Sequence, residues 1–457
     1  MTRGLRGGLV GGKSLTTAGA TSNSGSPVNA VLPIIFCFPR GLRQLAWGAL
    51  AGFALSCQVS AAAVNYDEAK VVPCTLPDPL RMEDGRLVTD AAMWYQARRP
   101  ELHALFCREV YGQPLPRPAQ MHFEVLREDA QYLGGRATRR DVSLRITGGA
   151  DGTVLTFALI LPNRPAGLVP VFAGLHLFDL ASAEPRPAVA RRLPGAAAVT
   201  DEENRRAGLE TLDQILAGGY GLASLNLDLL AADSATDYWK GAARLMGRTE
   251  GGPPGPEESG ALGLWAWGLS RAMDYFETLP AINASKVAVI GHSRMGKCAL
   301  WAAANDGRFG MAISNNSGCG GAALHRRDYG ETVAIITTAF PYWFCGNFAR
   351  HAGQEQRMPI DQHELVALIA PRPVYIASAV EDRWADPRGE FLAALHAEPV
   401  YRLLNAGGLG VTELPEPDHP AGGTIGYHLR SGQHDLTDYD WQQYLRFAGR
   451  HWGRAGN

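Results

Sequence analysis

The chain has 457 residues, of which 46% are hydrophobic and 19% are charged, which allows a large core in one α/β domain or in a domain with an added lobe. The formal net charge is −2 and the pI is about 6.6, which excludes the strongly basic character that binds nucleic acid or an anionic membrane surface. Nucleic acid is therefore not an expected partner.

The first 63 residues are predicted to be an N-terminal extension that contains an export signal. Residues 1–30 are rich in Gly, Ser and Thr and show no apolar periodicity, which is typical of a disordered segment. Two arginines then precede an apolar stretch that ends in the small residues 61–63, the layout of a secretory signal peptide. Cys57 leaves a lipoprotein site open, although the small residues fit ordinary cleavage better. We expect an exported protein, periplasmic or secreted, with no membrane span in the rest of the chain.

Residues 64–457 are predicted to form a single catalytic domain. Its first half contains three strands that indicate an antiparallel edge, followed by two buried strands around a crossover helix that indicate a parallel sheet. In chain order, these elements are a helix at 91–110, strands at 121–127, 141–147, 153–161 and 169–174, a helix at 210–217 and a strand at 219–227. Residues 228–260 contain many Gly, Pro and acidic residues and are predicted to be an insertion over the sheet.

The second half continues the alternation of strands and helices. In chain order, the predicted elements are a helix at 262–279, a strand at 287–290, a helix at 298–304, strands at 311–315 and 373–380, a helix at 391–398, a strand at 400–404 and a helix at 441–450. This alternation predicts an α/β fold in which a mostly parallel central sheet forms the middle layer of a three-layer sandwich with insertions.

A serine stands at the sharp turn between a predicted strand and a predicted helix. The sequence there is Gly291-His-Ser-Arg-Met-Gly-Lys297, and a serine in such a turn indicates the nucleophile elbow of an α/β-hydrolase. Gly291 and Gly296 lack the Cβ atoms that would keep the strand and the helix apart around a strained residue. The general pattern G-x-S-x-G is only partly matched, because Met295 stands two residues after Ser293.

A serine hydroxyl needs a base that takes its proton and an acid that holds the base. In α/β-hydrolases the acid and then the histidine follow the serine, and Asp382 and His434 fit that order. Gly432 and Asp435 place His434 in a tight, polar loop, which favours it as the base. The competing residues are Glu381 and Asp386 for the acid and His419, His428 and His451 for the base. No spacing of His, Cys and Asp suggests a metal site, so neither a metal nor another cofactor is expected.

Export would permit disulfides among the five cysteines that follow the predicted signal. The possible pairs are Cys74 with Cys107 and Cys319 with Cys345. The alternative is that these residues are buried free thiols, which is the expectation for Cys298 on the helix behind the elbow.

The elbow also resembles that of one family. The stretch from Gly291 to Lys297 matches the pattern G-x-S-R-x-G-K of the glucuronoyl esterases of carbohydrate esterase family 15, in which Met295 is no departure. The resemblance, to bacterial members in particular, runs from about residue 104 to residue 452. Further matching segments are 314–321, 330–332, 341–344, 361–363, 370–373, 381–388 and 432–435. The resemblance implies that the protein is a serine esterase, which hydrolyses esters between glucuronic or 4-O-methylglucuronic acid on xylan and the alcohols of lignin.

The same resemblance implies roles for the catalytic residues. Ser293 is similar to the nucleophile and His434 to the general base. Fungal members place a glutamate at the position that matches Asn316, and an amide cannot supply the charge that stabilises an imidazolium. Asp382 matches the position of the acid in bacterial members, so it is the predicted third residue. Arg294 is predicted to stabilise the oxyanion through its backbone N–H and its guanidinium; the alternative is an arginine that bonds to nearby carbonyls.

Three further residues resemble those that hold the sugar in this family: Lys297, Glu331 and Trp384. The alternative for Trp384 is simple packing under the loop of the acid. The expected partner is thus a glucuronoxylan or lignin–carbohydrate ester, and the protein is expected to be a monomer. Two other functions stay open, an esterase of the acetyl or feruloyl type on the same fold and a non-catalytic carbohydrate-binding relative.

Overall fold

The computed structural model describes residues 64–146, 152–177 and 201–453 of the chain. The predicted export signal lies outside these ranges and stays a prediction, as does the domain boundary at residue 63. Within the described ranges, no helix combines the length and the apolar character needed to cross a membrane.

The described residues contain a ten-stranded sheet with the strand order β1-β2-β3-β5-β4-β6-β7-β8-β10-β9. The strands are β1 Met121–Gln131, β2 Ala137–Ile146, β3 Gly152–Pro162, β4 Val169–Leu175, β5 Gly221–Asn226, β6 Ile282–His292, β7 Met311–Asn315, β8 Val374–Ala379, β9 Ala421–Gly422 and β10 Ile425–Arg430. Strands β1, β2, β3 and β5 pair antiparallel in that order. From β5 through β4, β6, β7 and β8 to β10, the neighbours run parallel. The predicted antiparallel edge and mostly parallel centre are therefore confirmed.

The helices of the described residues are α1 Ala91–Met93, α2 Arg99–Phe106, α3 Tyr132–Gly135, α4 Asp201–Ala217, α5 Ala261–Phe276, α6 Arg294–Asn305, α7 Val333–Ala339, α8 Gln362–Ala367, α9 Pro387–His396, α10 Glu398–Leu403 and α11 Asp438–Trp452. Those from α4 to α10 lie in the connections between parallel strands, which cannot be joined by tight turns. Two π-helical segments, Trp94–Arg98 and Cys107–Tyr111, extend α1 and α2 into one continuous run.

Two hydrophobic cores, one on each face of the sheet, make the fold a three-layer sandwich. On one face, α4 and α11 contribute Leu212 and Phe447 to a core that includes Phe172 of β4. On the other face, α5 and α6 contribute Trp265 and Trp301 to the larger core. All residues of α5 are buried, which explains why the helix is mostly apolar and why its two charged residues, Arg271 and Asp274, pair with each other at 2.7 Å. This is the architecture predicted for an α/β-hydrolase.

Two sequence predictions fail near the C-terminus. The strand predicted at 400–404 is wrong, because this segment forms α10, which a proline and an acidic residue in the first turn favour. Strand β10 has no counterpart among the predictions, since its polar residues His428 and Arg430 hide its apolar pattern. Both are buried because they pair with Asp440 of α11, at 2.8 and 3.0 Å respectively.

The five cysteines that follow the predicted signal are all free thiols. The two possible disulfides, Cys74 with Cys107 and Cys319 with Cys345, are therefore not formed in this structure. Cys298 is a buried thiol on α6, as expected, and its burial raises its pKa well above the ordinary value.

Candidate active site

Four polar residues follow four neighbouring strands of the parallel part of the sheet. Ser293 follows β6 and Asn316 follows β7. Asp382 comes shortly after β8, and His434 lies in the loop after β10. Because the carboxyl ends of parallel strands meet at one edge of the sheet, residues that are far apart in the chain come together there.

The serine sits in a strained turn. Ser293 has φ 58° and ψ −129°, in a region that residues with a Cβ rarely occupy. Its N–H donates to the carbonyl oxygen of Asn315 at 2.8 Å, which ties the turn to β7. A Cβ on Gly291 would lie 2.0 Å from the carbonyl oxygen of Met295, so the turn closes only because that residue is glycine.

Helix α6 begins directly after the serine. The N–H groups in the first turn of a helix have no acceptor within the helix, and the helix dipole places partial positive charge there. The backbone N–H of Arg294, the first residue of α6, therefore adjoins Ser293 at a point where an oxyanion needs a donor.

His434 and Asp382 form an acid–base pair. Nδ1 of His434 lies 2.6 Å from Oδ2 of Asp382, and Asn316 donates from Nδ2 to the same oxygen at 2.7 Å. Burial alone would raise the pKa of Asp382, but the hydrogen bonds from His434 and Asn316 hold it below its ordinary value. The carboxylate thus stays ionised and can accept a hydrogen bond from an Nδ1–H group, the tautomer in which Nε2 of a histidine accepts a proton.

An arginine holds the loop that carries His434. Nη2 of Arg430 donates to the carbonyl oxygens of Gln433 at 2.6 Å and Asp435 at 2.7 Å, the two residues that flank the histidine. The same guanidinium pairs through Nε with Asp440 of α11, at 3.0 Å. Sequence reasoning missed Arg430 and Asp440, because their pairing depends on the unpredicted strand β10.

His292 lies against the ring of His434, with ring centroids 4.5 Å apart. Its Nδ1 lies 2.6 Å from Oδ1 of Asn315, whose Nδ2 donates to Asp440 at 3.0 Å. Burial, followed by the nearby His434, lowers the pKa of His292 to about 4, so the ring is neutral at neutral pH. His292 thus packs against the histidine of the acid–base pair, a contact that no motif in the sequence indicates.

The guanidinium of Arg294 faces a residue of the predicted insertion. Its Nε lies 2.9 Å from Oδ2 of Asp233, and its Cζ lies 5.9 Å from the centre of the Trp343 ring. The Arg294 side chain is 36% exposed, so the guanidinium remains accessible to a ligand. No motif marked Asp233, which the fold brings to the elbow from the segment after β5.

The three residues predicted to hold the sugar lie in different environments. Lys297 is buried and donates to the carbonyl oxygen of Ser317 at 2.6 Å, and its Nζ lies 3.4 Å from Oε2 of Glu331. The N–H of Glu331 donates to the carbonyl oxygen of Trp384 at 2.9 Å. Trp384, which stands two residues after Asp382, is 40% exposed, so part of this large apolar residue is open to solvent.

A buried glutamate that sequence reasoning missed supports the Gly-rich turn after Asn316. Oε1 of Glu390 accepts from the N–H groups of Ser317 at 2.7 Å and Gly318 at 3.0 Å, and Oε2 accepts from the hydroxyl of Ser378 at 2.7 Å. Burial raises the pKa of Glu390 to about 7. Glu390 thus connects the turn to β8, the strand that precedes Asp382.

Comparisons with known proteins agree with this geometry. A family model described as "Glucuronyl esterase, fungi" matches residues 254–405, which include the elbow and Asp382. Carbohydrate esterase MZ0003, from an unknown prokaryotic organism, is 42% identical over 401 residues, which cover 85% of this chain and 92% of that protein. 4-O-methyl-glucuronoyl methylesterase 1 of Wolfiporia cocos is 29% identical over 343 residues, which cover 72% of each chain. The solved structure of a glucuronoyl esterase from Solibacter usitatus is 41% identical, with a TM-score of 0.76, and covers 84% of this chain and 100% of that one.

Proposed function

This chain belongs to the glucuronoyl esterases of carbohydrate esterase family 15, and we propose that it hydrolyses esters of glucuronic or 4-O-methylglucuronic acid through Ser293. The observation that carries the proposal is the 2.6 Å contact between Nδ1 of His434 and Oδ2 of Asp382, on loops beside the strained elbow. A serine in such a turn with an oriented histidine nearby is the arrangement that acyl transfer requires. The name of the Wolfiporia cocos relative, 4-O-methyl-glucuronoyl methylesterase 1, supports a uronic acid as the acid component of the ester.

In the first step, the hydroxyl oxygen of Ser293 attacks the ester carbonyl carbon, and Nε2 of His434 takes the hydroxyl proton. Asp382 stabilises the imidazolium that results. The negative charge that develops on the carbonyl oxygen is held by the backbone N–H of Arg294 and by its guanidinium. Because these two donors are in position before the reaction begins, the protein does not have to reorganise to stabilise this charge.

In the second step, the tetrahedral intermediate collapses and the bond to the alcohol breaks. His434 gives its proton to the departing alcohol oxygen, and the uronoyl group remains on Ser293 as an ester. A water molecule then attacks the carbonyl carbon of this acyl-enzyme while His434 takes one of its protons. The bond to the Ser293 oxygen breaks as His434 returns that proton to the serine, and the released uronic acid loses its own proton to water and leaves as its carboxylate.

The sugar is proposed to lie between Trp384 and Glu331. The exposed ring of Trp384 suits the apolar face of a pyranose, and the Glu331 carboxylate can accept from sugar hydroxyls. Lys297 acts with them: its ammonium already bonds to the backbone of Ser317 and lies beside Glu331, so it also fixes that carboxylate.

The natural substrate is proposed to be a lignin–carbohydrate ester of glucuronoxylan. Such a polymer lies outside the cell, which agrees with the predicted export signal. The monomeric state predicted from the sequence likewise remains part of this proposal.

The proposal is tested by comparing the turnover of benzyl glucuronate with that of p-nitrophenyl acetate. Because Trp384 and Glu331, which Lys297 holds, are proposed to bind the sugar, we expect kcat/KM to favour benzyl glucuronate even though the acetate has the better leaving group. Dominant turnover of the acetate would instead indicate an esterase of the acetyl type.

A further inference from the structure

Asp233 is held in one position at the elbow by groups from several parts of the fold. Its Oδ1 accepts from the Tyr342 hydroxyl at 2.7 Å and from Nε1 of Trp343 at 2.8 Å. The preceding backbone is fixed as well, because Nε1 of Trp265 on α5 donates to the carbonyl oxygen of Ala231 at 2.8 Å. The other carboxylate oxygen is therefore presented to Arg294 in a defined direction.

The contact with Arg294 occupies one side of the guanidinium. Oδ2 of Asp233 forms an ion pair with Nε at 2.9 Å, while in the part of the chain that the structure describes neither Nη1 nor Nη2 of Arg294 donates a hydrogen bond to an acceptor. The Trp343 ring also faces this guanidinium, with Cζ 5.9 Å from its centre. Asp233 and Trp343 together fix the side chain of Arg294, so the protein sets the direction in which its free Nη groups point.

The proposed reaction converts a neutral ester into an anion beside this arginine. The oxyanion of the transition state has one charged oxygen, for which one or two N–H groups suffice. The uronate product shares its negative charge between two oxygens, and a guanidinium without a compensating charge would bind both strongly through two parallel hydrogen bonds from its Nη groups. An enzyme gains in turnover when a group binds the transition state more strongly than the product.

We propose that Asp233 is a positioning residue that fixes Arg294 for the oxyanion and, through its negative charge, prevents tight retention of the uronate product. The inference rests on the proposed function, since it requires that the product is a carboxylate released beside Arg294. The carboxylate of Asp233 offsets the charge of the guanidinium and repels a second anion there. A fixed, charge-compensated arginine thus serves the oxyanion without becoming a product-binding site.

The test is the inhibition constant for D-glucuronate in the Asp233→Asn variant, with benzyl glucuronate as substrate. Asparagine retains an acceptor oxygen for Tyr342 and Trp343 but removes the charge. We expect the inhibition constant to fall roughly tenfold, the size of one charge-assisted hydrogen bond. The neutral analogue D-glucuronamide should inhibit the variant and the wild type equally. Asp237→Asn, in the same segment but paired with Lys240, is the matched control and should behave as wild type.

An unchanged inhibition constant for D-glucuronate, or an equal fall for D-glucuronamide, would overturn the role of Asp233. Asp233→Ser repeats the test if the asparagine variant does not fold, because serine also keeps an uncharged acceptor. The proposed function is tested separately in the same assay. If wild type hydrolyses benzyl glucuronate and Arg294→Ala does not, the function stands even where the inference on Asp233 fails.

Discussion

Asn316 donates a 2.7 Å hydrogen bond to Oδ2 of Asp382, the oxygen that also lies 2.6 Å from Nδ1 of His434. Asn316 stands at the position that the family resemblance gives to the glutamate of fungal members. The carboxylate that we propose as the acid follows β8, and Asn316, which follows the neighbouring strand β7, contacts it. Asn316 can orient the carboxylate, but only Asp382 can compensate an imidazolium.

This arrangement predicts different losses for two substitutions. Asp382→Asn removes the charge and disturbs the tautomer of His434, so we expect kcat on benzyl glucuronate to fall by about 10³- to 10⁴-fold. Asn316→Ala removes only one hydrogen bond to Asp382 and should lower kcat by about tenfold or less. Steady-state kinetics of both variants, with circular dichroism to verify folding, measures the difference. Equal losses would argue against Asp382 as the acid.

Arg430 is predicted to act on turnover through the position of His434. Arg430→Lys keeps a positive charge for Asp440 but cannot bridge the carbonyls of both Gln433 and Asp435. Because small displacements of a catalytic group are costly, we expect kcat to fall up to about 10²-fold with KM nearly unchanged. Arg450→Lys, an exposed position on α11, is the control and should leave kcat unaltered. A variant of Arg430 that changes KM alone would contradict this account.

Trp384 is predicted to contribute more to sugar binding than to stability. The residue is 40% exposed, so Trp384→Ala removes only part of a fully buried side chain's contacts, and the melting temperature should fall by no more than about 4 °C. The loss of the ring face should raise KM for benzyl glucuronate about tenfold. Turnover of p-nitrophenyl acetate, which has no sugar, serves as the internal control. A rise in KM for both esters would show that the ring acts on the acyl site generally.

His292 is predicted to make stability depend on pH in a defined window. Burial, followed by the nearby His434, lowers its pKa from 6.5 to about 4 in the folded state, so between these values the folded protein binds fewer protons than the unfolded chain. The contribution of the neutral His292 ring to the free energy of unfolding is complete above pH 6.5, and it decreases as the pH falls towards 4. His292→Asn keeps a donor for Asn315 and should reduce this slope, by at most about 1.4 kcal/mol per pH unit. Urea unfolding at several pH values measures both slopes, and identical slopes would refute the prediction.

The elbow could be predicted from the sequence because all of its determinants are local. The strand at 311–315 was accessible for the same reason, since its apolar run is visible in a short stretch. A short apolar run does not distinguish strand from helix, which explains the error at 400–404. The segment forms α10 instead, because Glu398 and Pro399 in the first turn favour the start of a helix.

The residues that position the site could not be predicted in this way. Asp233 and Arg294, like Arg430 and Gln433, meet only after the strands are ordered, and no spacing in the chain records their contact. The burial of polar residues made strand β10 harder still to predict. His428 and Arg430 are polar residues in a fully buried strand, which becomes favourable only through Asp440 on a later helix.

The central claim, that Ser293 attacks a uronoyl ester, is tested most directly by measuring kcat/KM of wild type and Ser293→Ala on benzyl glucuronate. The substitution removes one oxygen atom from a folded elbow, so circular dichroism should show the same structure for both proteins. We predict that the variant loses at least about 10⁴-fold, because no other group can form the acyl-enzyme. Equal hydrolysis by the two proteins would contradict the account.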